Sequence, residues 1–132
     1  MKTTIVKTYK YITISISDNI FPVGVADLSA FPDNLKLFYF NRLFVHPRYR
    51  NKGIAHKIMK EVVKIVDDND IDILLEINPY GDLNMKQLIS FYLKYLFKEH
   101  NEIQFLRKCK STIYIIKWNR NKVFGVGSLL LF

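Results

Sequence analysis

The chain has 132 residues and a mass of 15.6 kDa, the usual size of one domain. Its composition, 49% hydrophobic and 14% aromatic, excludes an intrinsically disordered protein, because disorder requires low hydrophobicity. The single cysteine, Cys109, excludes a disulfide framework within the chain. The formal net charge of +8 predicts an anionic partner, which could be nucleic acid, a membrane surface or a phosphorylated cofactor.

The sequence carries no recognisable targeting segment. No apolar run reaches the roughly 18 residues of a transmembrane helix, and polar residues interrupt any signal-peptide core near the N-terminus. We therefore expect a soluble, cytoplasmic protein with no membrane partner. The most apolar stretch, residues 123–132, is too short for an anchor. We expect this tail to pack on the domain or to add an edge strand to a second copy, giving a homodimer.

Two hydrophobic periods alternate along the chain. A period of 3.6 predicts one helix with an apolar stripe from Ile54 to Val66, stopped by the acidic run 67–70, and a second helix opened by a capping box of Asn84 and Gln87. Alternating or continuous apolar runs predict strands at residues 12–16, 21–25, 37–45, 71–77, 103–106 and 112–118. The order β-β-β-α-β-α-β-β predicts an α+β (α/β) fold, a single domain over residues 1–132 with one mixed, mostly antiparallel sheet and two main helices.

The chemistry is concentrated in residues 43–55, which combine a strand, a turn ended by Pro47, a basic loop and a helix start. The first N–H groups of a helix lack intrahelical partners and attract anions. Gly53 allows the backbone to approach a ligand closely, and six basic residues with no acid lie between Arg42 and Lys60. This arrangement predicts a phosphate-binding loop, unlike either common nucleotide loop. An ordinary strand–helix turn with surface lysines is the alternative.

Two motifs resemble those of a known family. Residues 45–55 read V-x-P-x-x-R-x-x-G-I-A, which resembles the acyl-CoA signature of the GNAT superfamily of N-acetyltransferases. Residues 91–97 read F-Y-x-K-x-x-F, which is similar to the second motif of that family. The two segments lie in the family's order within a motif core of about 37–97. A Pro-Tyr-Gly turn at 79–81 resembles the short GNAT proteins of bacteriophage genomes.

The resemblance implies an N-acetyltransferase that moves an acetyl group from acetyl-CoA directly to a primary amine, either a protein lysine or N-terminus or a small molecule. It implies that backbone groups of Leu43, Phe44 and Val45 pair with the pantetheine arm, and that the Val45 N–H polarises the thioester carbonyl. Tyr92 would protonate the departing thiolate as general acid. The amides that would hold the pyrophosphate belong to Arg50, Asn51, Lys52, Gly53, Ile54, Ala55 and His56.

The general base is left open by the sequence. The strand before Pro47 contains no acid, so Glu76 on the next strand is the nearest candidate, alongside Asp72. A structural role for either carboxylate, or a water relay, is an alternative. No metal is expected, because the three histidines and Cys109 lack the spacing of zinc ligands.

The sequence also departs from the family pattern. Leu96 stands where the second motif has glycine, and residues 1–36 are predicted as strands and turns rather than the usual N-terminal helix pair. Without those helices we expect an open acceptor cleft that suits a macromolecular lysine or a large amine. One alternative function is a non-catalytic GNAT-like module, because the strand before Pro47 lacks a carboxylate and Leu96 replaces the glycine. Another is an inhibitor that binds nucleic acid or protein, because the chain is basic and residues 101–122 carry a net charge of +5.

Overall fold

The computed structural model describes residues 1–77, 83–100 and 104–109, which form one seven-stranded sheet and two helices. The strand order is β1-β2-β3-β4-β5-β7-β6, and among these strands β4 and β5 form the parallel pair. The strands are β1 (Lys2–Lys7), β2 (Tyr11–Asp18), β3 (Phe21–Phe31), β4 (Asn34–Val45), β5 (Asp72–Glu76), β6 (Lys98–Glu99) and β7 (Gln104–Arg107). The helices are α1 (Ile54–Asp68) and α2 (Met85–Leu93), and a 3-10 turn covers Pro47–Tyr49.

Both helices cover the same face of the sheet. The apolar residues of β2 lie opposite Leu28, Ala26 and Gly24 of β3, and this face is buried under α1. A side chain at Gly24 would place its Cβ 2.9 Å from Ile58 Cδ1 of α1, so glycine permits the close approach of helix and sheet. His56 of α1 is in ring contact with Phe91 of α2, which places α2 beside α1.

The opposite face carries polar side chains on β2, β3 and β4, and no helix within the described ranges lies on it. Asp27 of β3 accepts hydrogen bonds from Thr13 Oγ1 at 3.1 Å and from Arg42 Nε at 2.6 Å. Asn41 and Ser29 are hydrogen-bonded nearby, with Nδ2 of Asn41 3.0 Å from Ser29 Oγ. Residues 1–36 contain strands and turns, so the predicted absence of an N-terminal helix pair is confirmed.

The predicted class, a mixed and mostly antiparallel sheet with two helices, is confirmed, but two strands were missed. The strand β1 was missed because every one of its residues is exposed, which removes the apolar alternation that marks a half-buried strand. The two-residue strand β6 is too short to leave a pattern. The predicted end of α1 in the acidic run is confirmed: the helix extends through Asp68, and the side-chain amide of the C-cap residue Asn69 donates to the Ile65 carbonyl at 2.8 Å.

Some predictions fall on residues that lie outside the described ranges. These are the turn at 79–81, the strand at 112–118 and the apolar tail at 123–132 with the homodimer inferred from it. They stay predictions. Neither α1 nor α2 combines the length and the apolar character that a bilayer-crossing helix needs.

Candidate active site

A cleft opens where β4 and β5 separate. Their parallel pairing ends at Phe40 and Leu75, whereas β4 continues to Val45. The register of β4 against β3 also shifts at this point, because Asp27 pairs with Arg42 and Leu28 with Phe40. The extra residue, Asn41, is a β-bulge, and a bulge bends its strand and increases the local twist. The resulting cleft has a volume of about 290 Å³.

The cleft brings together nearly all of the residues predicted from the sequence. Its walls include Leu43, Phe44, Val45, Arg50, Asn51, Gly53, Ile54, Ala55, His56, Glu76 and Tyr92. Lys52 is absent from the cleft walls, and its Nζ lies 5.8 Å from the ring centroid of Tyr49. Asn41, Arg42 and Phe91 also line the cleft and had no predicted role.

The backbone of β4 presents polar groups to this cleft. The His46 N–H donates to the Val23 carbonyl of β3 at 2.7 Å. Because backbone groups alternate in direction along a strand, the N–H and carbonyl of Val45 point to the opposite side, toward β5. Arg50 Nε donates to the Val45 carbonyl at 2.9 Å. By the same alternation, the backbone groups of Phe44 point toward β3, where Phe44 is paired with Val25.

One end of the cleft is the N-terminus of α1. Gly53 is the N-cap residue in a left-handed conformation with φ of 79°, and Asn51 has φ of 62°. No side chain caps the first turn of α1, so its N–H groups remain directed at the loop. No heavy atom lies within 4 Å of the position that a Cβ on Gly53 would take. The backbone here can therefore approach an anion closely.

Tyr92 reaches the cleft from α2. The predicted capping box is present, with Asn84 Oδ1 accepting from Gln87 N–H and Gln87 Oε1 accepting from Asn84 N–H, each at 2.9 Å. The helix carries Tyr92 to the end of the β4–β5 pairing, where its ring meets Phe40 edge-on at a centroid distance of 6.2 Å. A second edge contact joins the ring to Phe97, at a centroid distance of 5.6 Å. The side chain is 8% exposed, so its orientation is fixed by packing.

The two candidate carboxylates have different surroundings. Asp72 accepts from Lys108 Nζ and from the Cys109 N–H, both at 2.9 Å, and does not line the cleft. Glu76 does line the cleft, and partial burial raises the pKa of its carboxyl. Burial, together with the charge of Glu76, also raises the pKa of the Tyr39 hydroxyl. Asp72 is therefore a structural carboxylate, and Glu76 is the acid at the cleft.

Glu76 and Tyr92 approach the cleft from opposite faces of the sheet. Leu75 pairs with Phe40 and faces the helices, so the next residue of β5, Glu76, faces the polar side. Tyr92 comes from the helix side, because it belongs to α2 and contacts Phe40. An acid and a base can thus act on two sides of a group held between the strands.

Tyr95 does not line the cleft but contacts His56, which does, and sequence reasoning missed this contact. Its hydroxyl is hydrogen-bonded to Nδ1 of His56 in the first turn of α1, and burial raises its pKa. The only sequence signal is the spacing of four residues from Phe91, which also contacts His56. Within the described ranges, no three histidine, cysteine or acidic side chains come together in a way that could hold a metal ion.

The backbone conformation of Leu96 explains why the second motif has glycine at this position. Its φ of 69° is left-handed, a conformation that glycine adopts without strain. The glycine of the family pattern thus corresponds to a backbone requirement, which this chain meets with an exposed leucine.

Comparison with known proteins agrees with this geometry. The family described as an acetyltransferase (GNAT) domain matches residues 10–99, which is more than half of the chain. No sequence among curated proteins matches the chain significantly.

Among solved structures, the ribosomal-protein-S18-alanine N-acetyltransferase from Escherichia coli is similar, with a TM-score of 0.63 and 13% identity over 90% of this chain and 77% of that one. The PaiA N-acetyltransferase from Thermoplasma acidophilum, in complex with coenzyme A, has a TM-score of 0.54 and 19% identity over 75% of this chain and 61% of that one. The anti-CRISPR protein AcrVA5 has a TM-score of 0.54 and 17% identity over 71% of this chain and 96% of that one. At these identities the likeness concerns the fold alone.

Proposed function

The chain belongs to the GNAT acetyltransferases, and from this membership we propose that it transfers an acetyl group from acetyl-CoA directly to a primary amine. The observation that carries the proposal is the cleft between β4 and β5. It joins an uncapped helix N-terminus, suited to phosphate, to a tyrosine and a glutamate on opposite faces of the sheet. Two solved structures with this fold are complexes with coenzyme A, which supports acetyl-CoA as the cosubstrate.

The cosubstrate would lie along β4. The pyrophosphate would accept hydrogen bonds from the amides around Gly53 and would be attracted by Arg50. The pantetheine amides would pair with the backbone of Leu43 and Val45, the residues whose polar groups are directed away from β3. The Val45 N–H would then lie near the thioester carbonyl and stabilise the negative charge that develops on its oxygen.

The reaction transfers two protons, one on each face of the sheet. The amine nitrogen attacks the thioester carbonyl, the carbon–sulfur bond breaks, and an amide and a thiolate form. Glu76 accepts the proton that the amine loses, and the raised pKa of its carboxyl brings it closer to the pH at which such a base is effective. Tyr92 gives a proton to the thiolate from the helix side and regains one from solvent.

The acceptor would approach from the polar face of the sheet. This face carries Asn41, Arg42 and Glu76 at the cleft, and no helix in the described part of the chain covers it. A site on this face that the described helices do not enclose favours an acceptor that brings contact area of its own. We therefore propose an amine on a macromolecule, such as a protein lysine or N-terminus, or another large amine.

The first experiment tests cofactor binding and turnover together. Acetyl-CoA should raise the melting temperature of the protein, and thiol should be released when a panel of proteins, peptides and polyamines is added. Replacing Tyr92 with phenylalanine should lower kcat at least tenfold with little change in acetyl-CoA affinity. The matched control is Tyr11→Phe, which removes the hydroxyl of an exposed tyrosine on β2.

The alternative, a non-catalytic or nucleic-acid-binding module, predicts a different result. Binding of acetyl-CoA without release of thiol from any amine would favour it, and unchanged turnover in the Tyr92→Phe variant would deny Tyr92 the role of acid. The basic stretch that motivated nucleic-acid binding is described only in part. Within its described residues, Arg107 forms an ion pair with Asp67 and Lys108 forms one with Asp72. These two basic side chains therefore contact acidic groups of the protein itself.

A further inference from the structure

We propose that the His56 side chain donates a hydrogen bond from Nε2 to a phosphate group of acetyl-CoA, and that Tyr95 is the positioning residue that directs this proton. The inference rests on the proposed function, because it names how the same cleft distinguishes a phosphorylated cosubstrate from a short thioester. It assigns a role to two side chains where the family resemblance implied only a backbone amide at His56.

The first step is the position of the imidazole. His56 lies in the first turn of α1, three residues after Gly53, and lines the cleft. Its ring is held by Phe91, with ring centroids 4.9 Å apart, and by Tyr95 at 5.9 Å. The ring therefore stands at the end of the cleft where the helix N-terminus attracts anions.

The second step is the state of the two ring nitrogens. Nδ1 is hydrogen-bonded to the Tyr95 hydroxyl. In the proposed arrangement the phenol, which burial keeps protonated by raising its pKa, donates and Nδ1 accepts. A neutral imidazole that accepts at Nδ1 carries its proton on Nε2. The tautomer selected by Tyr95 thus offers a donor to the cleft, whereas the other tautomer would present a lone pair and repel a phosphate oxygen.

The third step is the rigidity of Tyr95. Its carbonyl accepts from Arg107 Nε at 2.8 Å, and the guanidinium of Arg107 forms two hydrogen bonds to Asp67 at 2.8 and 2.9 Å. The Arg107 side chain is 1% exposed, so this pair is buried. Asp67 belongs to the last turn of α1 and His56 to its first turn. Tyr95 is therefore fixed to the same helix that carries the imidazole it orients.

The experiment compares acetyl-CoA with S-acetyl-pantetheine, which has the same thioester but lacks the pyrophosphate and the phosphorylated nucleoside. Dissociation constants are measured by calorimetry or by competition with a fluorescent CoA analogue. His56→Ala should weaken acetyl-CoA binding about tenfold or more, the usual effect of losing a hydrogen bond to a charged group, and should leave S-acetyl-pantetheine unchanged. Tyr95→Phe should weaken acetyl-CoA binding about threefold to tenfold, because the tautomer is no longer selected.

A conservative variant separates positioning from packing. His56→Gln supplies an amide donor that needs no tautomer, so it should restore most of the acetyl-CoA affinity, and adding Tyr95→Phe to it should cause no further loss. The Tyr11→Phe variant is the control for removal of a tyrosine hydroxyl. Dephospho-CoA, which lacks the 3′-phosphate, identifies the group that His56 contacts. If His56→Ala weakens binding of dephospho-CoA as much as binding of CoA, the contact is with the pyrophosphate. If His56→Ala does not weaken binding of dephospho-CoA, the contact is with the 3′-phosphate.

Three results would overturn the inference while leaving the proposed function intact. These are an unchanged acetyl-CoA affinity in His56→Ala, an equal loss for S-acetyl-pantetheine, or a full effect of Tyr95→Phe in the His56→Gln background. If the unmodified protein does not bind acetyl-CoA at all, the proposed function itself fails, and this outcome is recognisable before any variant is made.

Discussion

The two ends of the cleft are built in different ways. The end proposed to bind acetyl-CoA, the cofactor end, is made of backbone: the uncapped N-terminus of α1, the left-handed Gly53 and the directed N–H of Val45. The end proposed to bind the amine, the acceptor end, is made of side chains on separate strands, with Asn41 and Glu76 on the polar face. A backbone site can be recognised from a short stretch of sequence, because its residues are neighbours in the chain. A side-chain site on separate strands exists only when the sheet has formed.

The largest expected effect comes from breaking the cofactor end. Gly53→Asp should abolish measurable acetyl-CoA binding, since it places a carboxylate against the phosphates at a helix N-terminus. Gly53→Asn is the matched control, because asparagine tolerates the left-handed conformation and has nearly the same shape without the charge. Binding that survives in the aspartate variant would mean that this loop is not the phosphate site. The measurement is calorimetric titration with acetyl-CoA.

Removing the carboxylate at the acceptor end should lower kcat and leave the affinity for acetyl-CoA unchanged. Glu76→Gln should lower kcat about a hundredfold, within the usual range for loss of a general base, and should remove the rise of rate with pH that reports its deprotonation. A pH–rate profile for the two proteins measures this. A profile of unchanged shape would assign the base to water or to another group.

The same substitution should change stability in a pH-dependent way. Because the folded-state pKa of Glu76 is raised, the ionised carboxyl destabilises the fold above that pKa, and the cost disappears once pH falls below the unfolded-state value. Glu76→Gln should therefore melt at a higher temperature than the parent at neutral pH, and the difference should vanish in acid. Thermal melts at several pH values test this. A difference that is independent of pH would have another cause.

The contact between α1 and β3 supports the cofactor end through packing. Gly24→Ala should lower the free energy of unfolding by about 1–2 kcal/mol, because the new Cβ would lie 2.9 Å from Ile58 Cδ1 and 3.2 Å from the Phe44 carbonyl oxygen. The isoleucine methyl can turn aside, but the carbonyl belongs to β4 beside the cleft. Chemical denaturation measures the loss, and Ala26→Gly on the same face of β3 shows the cost of glycine in this strand. A variant as stable as the parent would show that α1 can shift enough to accommodate the new Cβ without a loss of stability.

The smallest effect is expected at a position that touches neither end. Leu96→Gly should raise the free energy of unfolding by about 0.5–1 kcal/mol, because it relieves a left-handed leucine at some cost in unfolded-state entropy. The leucine side chain is 64% exposed, so little burial is lost. Acetyl-CoA affinity and kcat should not change. Destabilisation by this variant would mean that Leu96 makes contacts that outweigh its strain.

The sequence determined much of the fold and of the cofactor end. The alternation at Ile12, Ile14 and Ile16, the stripe of α1 and the capping box of Asn84 with Gln87 are local patterns, and the structure has each of them. The strand β1 could not be predicted, because an exposed edge strand has no buried side to generate a pattern. The role of Gly24 was likewise hidden, since a close approach of helix to strand involves residues far apart in the chain.

Only the tertiary structure decided between groups that look alike in sequence. Asp72 and Glu76 lie on the same strand, and the difference between them arises because β7 brings Lys108 and Cys109 to Asp72, whereas Glu76 lies at the cleft. Tyr92 and Tyr95 lie one turn apart, and their surroundings differ because α1 meets Tyr95 at His56. The net charge of +8 predicted an anionic partner, and Gly53 at a helix start specified where phosphate could bind. Which side chains face that site depends on how the sheet bends at Asn41 and how the two helices pack on it, and these are contacts between distant residues that no local pattern records.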